Sequence, residues 1–141
     1  MLDASVVVKG VLSDPAVEPD TDRALRVLVG IQAGRVTVLE PSHWVAEGAA
    51  EMCRLVPRRA REVVELLQAM DLPVSDHPDM YGRPRDLSVR LGAHLFDTLY
   101  HAVALSESDT MLITADERYY DRARRAGQIV RLAETPLEAG P

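Results

Sequence analysis

The sequence predicts an α/β fold, a three-layer α/β/α sandwich with a central, mainly parallel sheet. Three observations carry that expectation. Short apolar runs such as Val36–Leu39 and Met111–Ile113 have the length of buried strands and are bounded by turn residues. Longer segments between them repeat apolar residues at helical spacing, as Leu95, Leu99, Ala102 and Val103 do at i, i+4, i+7 and i+8. The two kinds of segment alternate along the chain, the pattern of strands joined by helical crossovers. No repeat, linker or change of composition divides the sequence. One domain is therefore expected over residues 1–133, with a flexible tail at 134–141.

Met1-Leu2-Asp3 reads as the stub of a first strand ending in an acid, and Ala4 to Leu12 as a buried helix capped by Asp3 or Ser5. Ser13-Asp14-Pro15 and Glu18-Pro19-Asp20 punctuate a loop. Thr21 to Ala33 is amphipathic, with Ala24, Leu25, Leu28 and Ile31 on one side and Gly34 as its stop. After the strand Val36–Leu39, Pro41-Ser42 opens a helix to about Leu55 that carries Trp44, Val45, Ala49 and Met52 inward. Pro57 suits the first turn of the next helix, which runs to about Met70 with Val63, Val64, Leu66 and Leu67. Pro73 to Ser75 reads as a short edge strand, Asp76 to Pro84 as a polar mobile loop, and Leu87 to Leu91 as a short helix. The helix opening at His94 ends in the turn Ser106-Glu107-Ser108-Asp109, followed by the strand Met111–Ile113. Glu117 to Ala126 is a helix closed by Gly127, and Ile129 to Leu132 a last strand.

The chain has 141 residues, 47% of them hydrophobic and 27% charged, which excludes a disordered or membrane-embedded chain. No apolar run approaches the roughly 20 residues that cross a bilayer, so no membrane association is expected. The start of the chain carries no basic and apolar blocks of a signal peptide, and the expected location is the cytoplasm. The lone Cys53 lies on an apolar helical stretch and reads as a buried, inert thiol.

A net charge of −6 argues against a broad nucleic-acid-coating surface. It leaves room for a nuclease, whose clustered acids lower the total while arginines elsewhere meet phosphate. Lys9 is the one lysine; the arginines gather mostly at Arg54, Arg58, Arg59 and Arg61; at Arg83 and Arg85; and at Arg118, Arg122, Arg124 and Arg125. Such runs are usually solvated helix faces.

In an open parallel sheet, ligands bind along the edge where strands end and helices begin. Asp3 closes the first strand, Asp116 follows the strand Met111–Ile113, and Asp97 stands at the head of an apolar helix. Each also occupies a position where a helix cap is expected, and Thr114-Ala-Asp-Glu117 fits a capping box. Together they would crowd like charges on one edge, which raises their pKa values or demands a cation. Carboxylates and water suit magnesium or manganese. Glu47, Glu51 and Arg54 form a stripe at i, i+4 and i+7, and spacing does not choose between the two glutamates.

The histidines His43, His77, His94 and His101 lack metal-binding spacing, and His101, one turn after Asp97, reads as packed. No Gly-x-Ser-x-Gly elbow or phosphate-cradling glycine loop is present. The Asp-x-Asp of a haloacid-dehalogenase-type phosphatase is missing, because Ser5 stands where the second acid belongs.

Four segments resemble the PIN domain, and more closely the VapC-type toxin ribonuclease of VapBC toxin–antitoxin pairs. They are Asp-Ala-Ser-Val at Asp3, Pro-Ser-His-Trp-Val-Ala-Glu ending at Glu47, Leu-Phe-Asp-Thr-Leu-Tyr-His-Ala-Val-Ala around Asp97, and Leu-Ile-Thr-Ala-Asp-Glu-Arg at Asp116. The resemblance spans essentially the whole chain. It implies a PIN-like fold and a metal-dependent endoribonuclease acting on RNA with Mg²⁺ or Mn²⁺. Its acidic quartet would be Asp3, Glu47, Asp97 and Asp116, all catalytic and metal-binding, with Glu47 preferred over Glu51. Ser5 and Thr114 match positions where PIN domains often place a hydroxyl near the site. Arg83, Arg85 or Arg118 would steer RNA from the rim. A homodimer and a small cognate antitoxin are the implied protein partners. Two features depart from the pattern: the strand before Asp3 is short, and Ala50 stands where many relatives carry asparagine. The alternative is a PIN-like scaffold that binds RNA or protein without cutting.

Overall fold

The structure is a computed structural model and describes residues 1–12, 20–75, 79 and 81–135. Among these, seven α-helices dominate: α1 (Ala4–Leu12), α2 (Thr21–Gln32), α3 (Trp44–Leu55), α4 (Ala60–Ala69), α5 (Gly82–Leu91), α6 (Leu95–Ala104) and α7 (Glu117–Ala123). Regular strand is confined to β1 (Leu112–Thr114) and β2 (Ile129–Arg131), paired in parallel with Leu112 opposite Ile129 and Thr114 opposite Arg131. The expected three-layer sandwich around a central sheet is therefore not the fold. The described chain is mostly helical, with a two-stranded parallel sheet.

The ladder fails for identifiable reasons. Leu2 makes a single parallel bridge to Ile113, with Asp3 N–H donating to Ile113 O at 3.0 Å and Ile113 N–H to Met1 O at 3.1 Å. One residue later the chain turns into α1, where Val6 N–H bonds Asp3 O at 2.9 Å. On the other side, Leu2 N–H donates at 2.9 Å to the side-chain Oε1 of Glu40, where a neighbouring strand would offer a backbone carbonyl. Glu40 uses its own backbone elsewhere, taking Pro73 O and Ser75 N–H at 2.8 Å each around a lone bridge to Val74. The expected strand Val36–Leu39 never pairs, because Arg35 and Val36 N–H turn back to Gly30 O at 2.9 and 3.2 Å. The expected edge strand Pro73–Ser75 shrinks to that same bridge.

The helices pack as consecutive pairs, α1 with α2, α3 with α4 and α5 with α6, while α1 also touches α3 and β1. Val6, Ala24, Met52, Val63, Leu67 and Ala104 are fully buried where these pairs meet. Each large apolar side chain so buried contributes roughly 1.5–3 kcal/mol. Two inward assignments fail. Leu25 and Leu66 are exposed, and Val27 takes the core place expected of Leu25. Cys53 is exposed rather than buried, one position past the fully buried Met52.

Helix ends also move. Pro57 lies in the turn before α4 instead of in its first turn, and α5 begins at Gly82, well before Leu87. Gly92 closes α5 with φ 60°, a left-handed conformation that glycine adopts without strain. α7 passes into a 3₁₀ turn at Arg124–Ala126, and Leu132–Glu134 is a second 3₁₀ turn rather than strand. Thr135 is tied down, its carbonyl accepting from Arg23 Nη1 at 2.9 Å. The loop punctuation at 13–19, part of the expected mobile loop (76–78 and 80) and the tail 136–141 lie outside the described residues. Among the described residues no helix is long and apolar enough to cross a membrane.

Candidate active site

The bridge between Leu2 and Ile113 decides where Asp3 goes. It sets the Asp3 carboxylate beside Thr114 at the end of β1, where Thr114 Oγ1 donates to Asp3 Oδ2. Ser5 adds its hydroxyl to Asp3 Oδ2 at 3.0 Å and its N–H to Oδ1 at 3.3 Å. Ser5 Oγ in turn accepts Ala115 N–H at 3.0 Å, and Thr114 Oγ1 accepts Asp116 N–H at 3.0 Å. The two hydroxyls thus lace the start of α1 to the exit of β1. Asp3 is buried, and burial raises its pKa above the ordinary carboxylate value against the pull of these hydrogen bonds, with Glu47 pushing the same way as burial.

Thr114 is fully buried and serves both carboxyl segments, so Thr114→Val, which keeps its shape, should leave Asp116 N–H without its acceptor and Asp3 Oδ2 with the Ser5 hydroxyl alone. A loss of about 1–3 kcal/mol of stability is expected in urea unfolding. A loss below a few tenths would mean that the hydroxyl is dispensable to the fold.

Asp116 is both a cap and a cleft residue. Its Oδ1 takes the N–H groups of Arg118 at 2.9 Å and Tyr119 at 3.0 Å, closing the start of α7. The capping box expected from Thr114 and Glu117 does not form, because Glu117 pairs with Arg131 at 3.3 Å. Asp97 caps nothing. The N-cap of α6 is His94, whose Nδ1 accepts Phe96 N–H at 3.3 Å. Half-buried, Asp97 is pushed up to about 6 by desolvation first and then by Asp3, Asp116 and Glu47, with His94 opposing.

Glu47 lies on the inward side of α3, while Glu51, one turn on, is held by Arg54 at 2.7 Å. Glu47 Oε2 is buried and has no hydrogen-bond partner among the described residues; His43 Nε2 lies 3.6 Å from it. Burial and then Glu47 raise the pKa of the buried Tyr100 phenol, which lies against that carboxylate.

All four predicted acids, Asp3, Glu47, Asp97 and Asp116, line one cleft of about 800 Å³. Lys9, Glu51 and Arg54 stand on its wall. Of the arginines expected at the rim, only Arg118 is close, lining a smaller hollow with Asp97 and Asp116. Arg83 instead reaches the end of α6, donating to Leu105 O at 3.1 Å and Ser106 Oγ at 3.0 Å, and Arg85 pairs with Asp86 at 2.8 Å. His101 is packed away from the cleft between Tyr119 Oη at 3.0 Å and Gly127 O at 2.7 Å. Lys9 and His43 were not singled out for the site from the sequence. Their signal was helical spacing, since Lys9 lies four residues after Ser5 and His43 four before Glu47.

Oxygen donors of this kind suit a hard divalent cation. Among the described residues, no three His, Cys, Asp or Glu side chains are gathered into a ready metal cage. Mg²⁺ usually keeps several waters and takes only one or two carboxylates directly. The orphaned Glu47 oxygen and the mutual repulsion felt by Asp97 fit a cation held by two acids and by water. Compared with known proteins, the chain matches no family model, no curated protein and no solved structure.

Proposed function

We propose that the chain is a metal-dependent endoribonuclease that hydrolyses RNA phosphodiester bonds. The observation that carries this reading is the convergence of Asp3, Glu47, Asp97 and Asp116, from four separate parts of the sequence, on one cleft. The motif resemblance adds the finer terms: a PIN-domain, VapC-type toxin of a type II toxin–antitoxin pair, homodimeric, cytoplasmic, and checked by a cognate antitoxin.

Asp3 and Asp97 are the residues that would hold Mg²⁺ or Mn²⁺ most directly. Such an ion lowers the pKa of bound water and offsets charge building on the phosphate. Glu47, whose Oε2 meets no donor among the described residues, would accept a proton from a water or orient it. Asp116 keeps Oδ1 engaged at α7, which fits contact through water better than direct coordination. Ser5 and Thr114 fix the rotamer of Asp3.

Melting the protein with and without Mn²⁺, beside a digestion of single-stranded RNA, tests the reading. At a metal concentration of about 100 Kd the fold should gain roughly 2.7 kcal/mol, a rise of several degrees in Tm. RNA should be cut only with metal. A non-catalytic scaffold is favoured by one observation, the lack of a ready cage among the described residues. It predicts neither the shift in Tm nor the cleavage.

A further inference from the structure

Beside the acids runs a file of aromatic rings that the hydrolytic chemistry does not use. The buried Tyr100 meets His43 edge-on at 5.2 Å between centroids, with the planes at 69°. His43 stacks on Phe96 at 5.3 Å and 28°, and Phe96 meets His94 at 5.3 Å and 35°. Offset stacks of this spacing are favourable contacts, and they hold a file that starts in the core and ends in solvent. Phe96 is 45% exposed, next to the exposed Leu95 in the first turn of α6, a helix buried from Thr98 to Ala104.

The outer rings wall a hollow of about 460 Å³ that shares Glu47, Glu51, Arg54 and Asp97 with the acid cleft. That volume lies within the roughly 300–1,000 Å³ of small-ligand sites. On the far side of His94 a second hollow holds Arg118 together with Asp97 and Asp116. An exposed aromatic ring, the neighbouring acids and an arginine beyond them fit a nucleotide of an unpaired strand, its base on the rings and its phosphate over the acids, bridged by the cation of the proposed function. A base inside a duplex has no free face to offer.

We propose that Phe96, backed by His43 and flanked by His94, is a base-stacking subsite for a nucleotide of single-stranded RNA adjoining the cleaved phosphate. The assignment of the strand as RNA rests on the ribonuclease reading. Base–aromatic stacking tolerates any base, so the subsite selects unpaired strand rather than sequence.

Short single-stranded RNA carrying one 2-aminopurine is titrated against the full chain in EDTA and in Ca²⁺, and its quenching reports stacking. Phe96→Ala and Phe96→Leu should bind about tenfold to a hundredfold more weakly and lose the quench, the size of one stacked base. Phe96→Tyr should restore both. In Mn²⁺ the first two variants should raise KM with little change in kcat. Their melting temperatures, matched to the parent, exclude a folding defect; Phe96→Tyr serves as reference if Phe96→Ala melts early. No quench with the parent chain, or equal binding by Phe96→Leu, overturns the subsite. Cleavage with KM indifferent to Phe96 overturns the subsite alone. Phe96-dependent quenching without cleavage in Mn²⁺ upholds the subsite and overturns the nuclease.

Discussion

Asp97→Asn is expected to cut RNA hydrolysis by about 10²- to 10³-fold while making the metal-free protein harder to melt at neutral pH. Both effects follow from the same crowding. The Asp97 carboxyl stands at about 6, raised first by burial and then by Asp3, Asp116 and Glu47. A carboxyl with a raised pKa binds its proton more tightly folded than unfolded. Its contribution to stability is full below its ordinary pKa near 4 and drains away as pH rises through about 6. Without a cation, the ionised group is a liability at pH 7.5 that asparagine removes. Because the carboxyl is only partly buried, water screens some of the penalty, and the gain is on the order of 1 kcal/mol, a few degrees in Tm. The check pairs single-turnover cleavage in Mn²⁺ with melts in EDTA at pH 4.5 and 7.5. Cleavage at the parent rate would remove Asp97 from the site, and a stabilisation equal at both pH values would refute the electrostatic cause.

Helical periodicity carried most of what the sequence disclosed. Ala4–Leu12 and Leu95–Ala104 form the helices their spacing implies, because apolar residues every three to four positions can be buried only on a helix. The sheet was not legible. A strand-length apolar run such as Val36–Leu39 says nothing of who receives its hydrogen bonds, and here the Glu40 side chain takes the Leu2 N–H that a ladder would need. Pattern placed the acids better than the arginines. Asp3 and Asp116 are positioned by their own backbone segments, whereas a long arginine goes wherever a carbonyl or carboxylate lies within reach, as Arg83 does at Leu105. Capping a helix and lining the cleft are not exclusive for Asp116, whose Oδ1 closes α7 at the cleft wall. Phe96 and His43 escaped notice because nothing in a sequence tells that a ring on an apolar helix will emerge beside a charged cleft.

Glu40→Gln is expected to reverse the order of stability across the pH range. Glu40 is 2% exposed; one oxygen accepts Leu2 N–H and Oε2 has no partner among the described residues. Burial lifts its pKa to about 8, over the opposing effects of the Met1 amino group and the Leu2 N–H, with Asp3 adding to the rise. The fold therefore holds a proton that the unfolded chain releases near pH 4.5. Stability from this group is complete below that value and is lost as pH rises through about 8, a swing on the order of 3–5 kcal/mol. Glutamine offers the same oxygen to Leu2 but cannot ionise, and its amide buries an N–H without an acceptor, a cost of about 1–3 kcal/mol. The parent should thus be the more stable at pH 5 and the variant at pH 8.5, with curves that cross between. His101 acts in the other direction: burial lowers its pKa, so its share is present above about 6.5 and lost on acidification. Like Asp97, it is common to both proteins and drops out of the difference, whereas Asp3 and the Met1 amino group interact with Glu40 and contribute to it. Urea unfolding at pH 5, 7 and 8.5 reads that difference directly. Parallel curves would mean that Glu40 is ionised in the fold, and that the carboxyl interrupting the ladder at Leu2 is a charge with an undetected partner rather than a neutral acid.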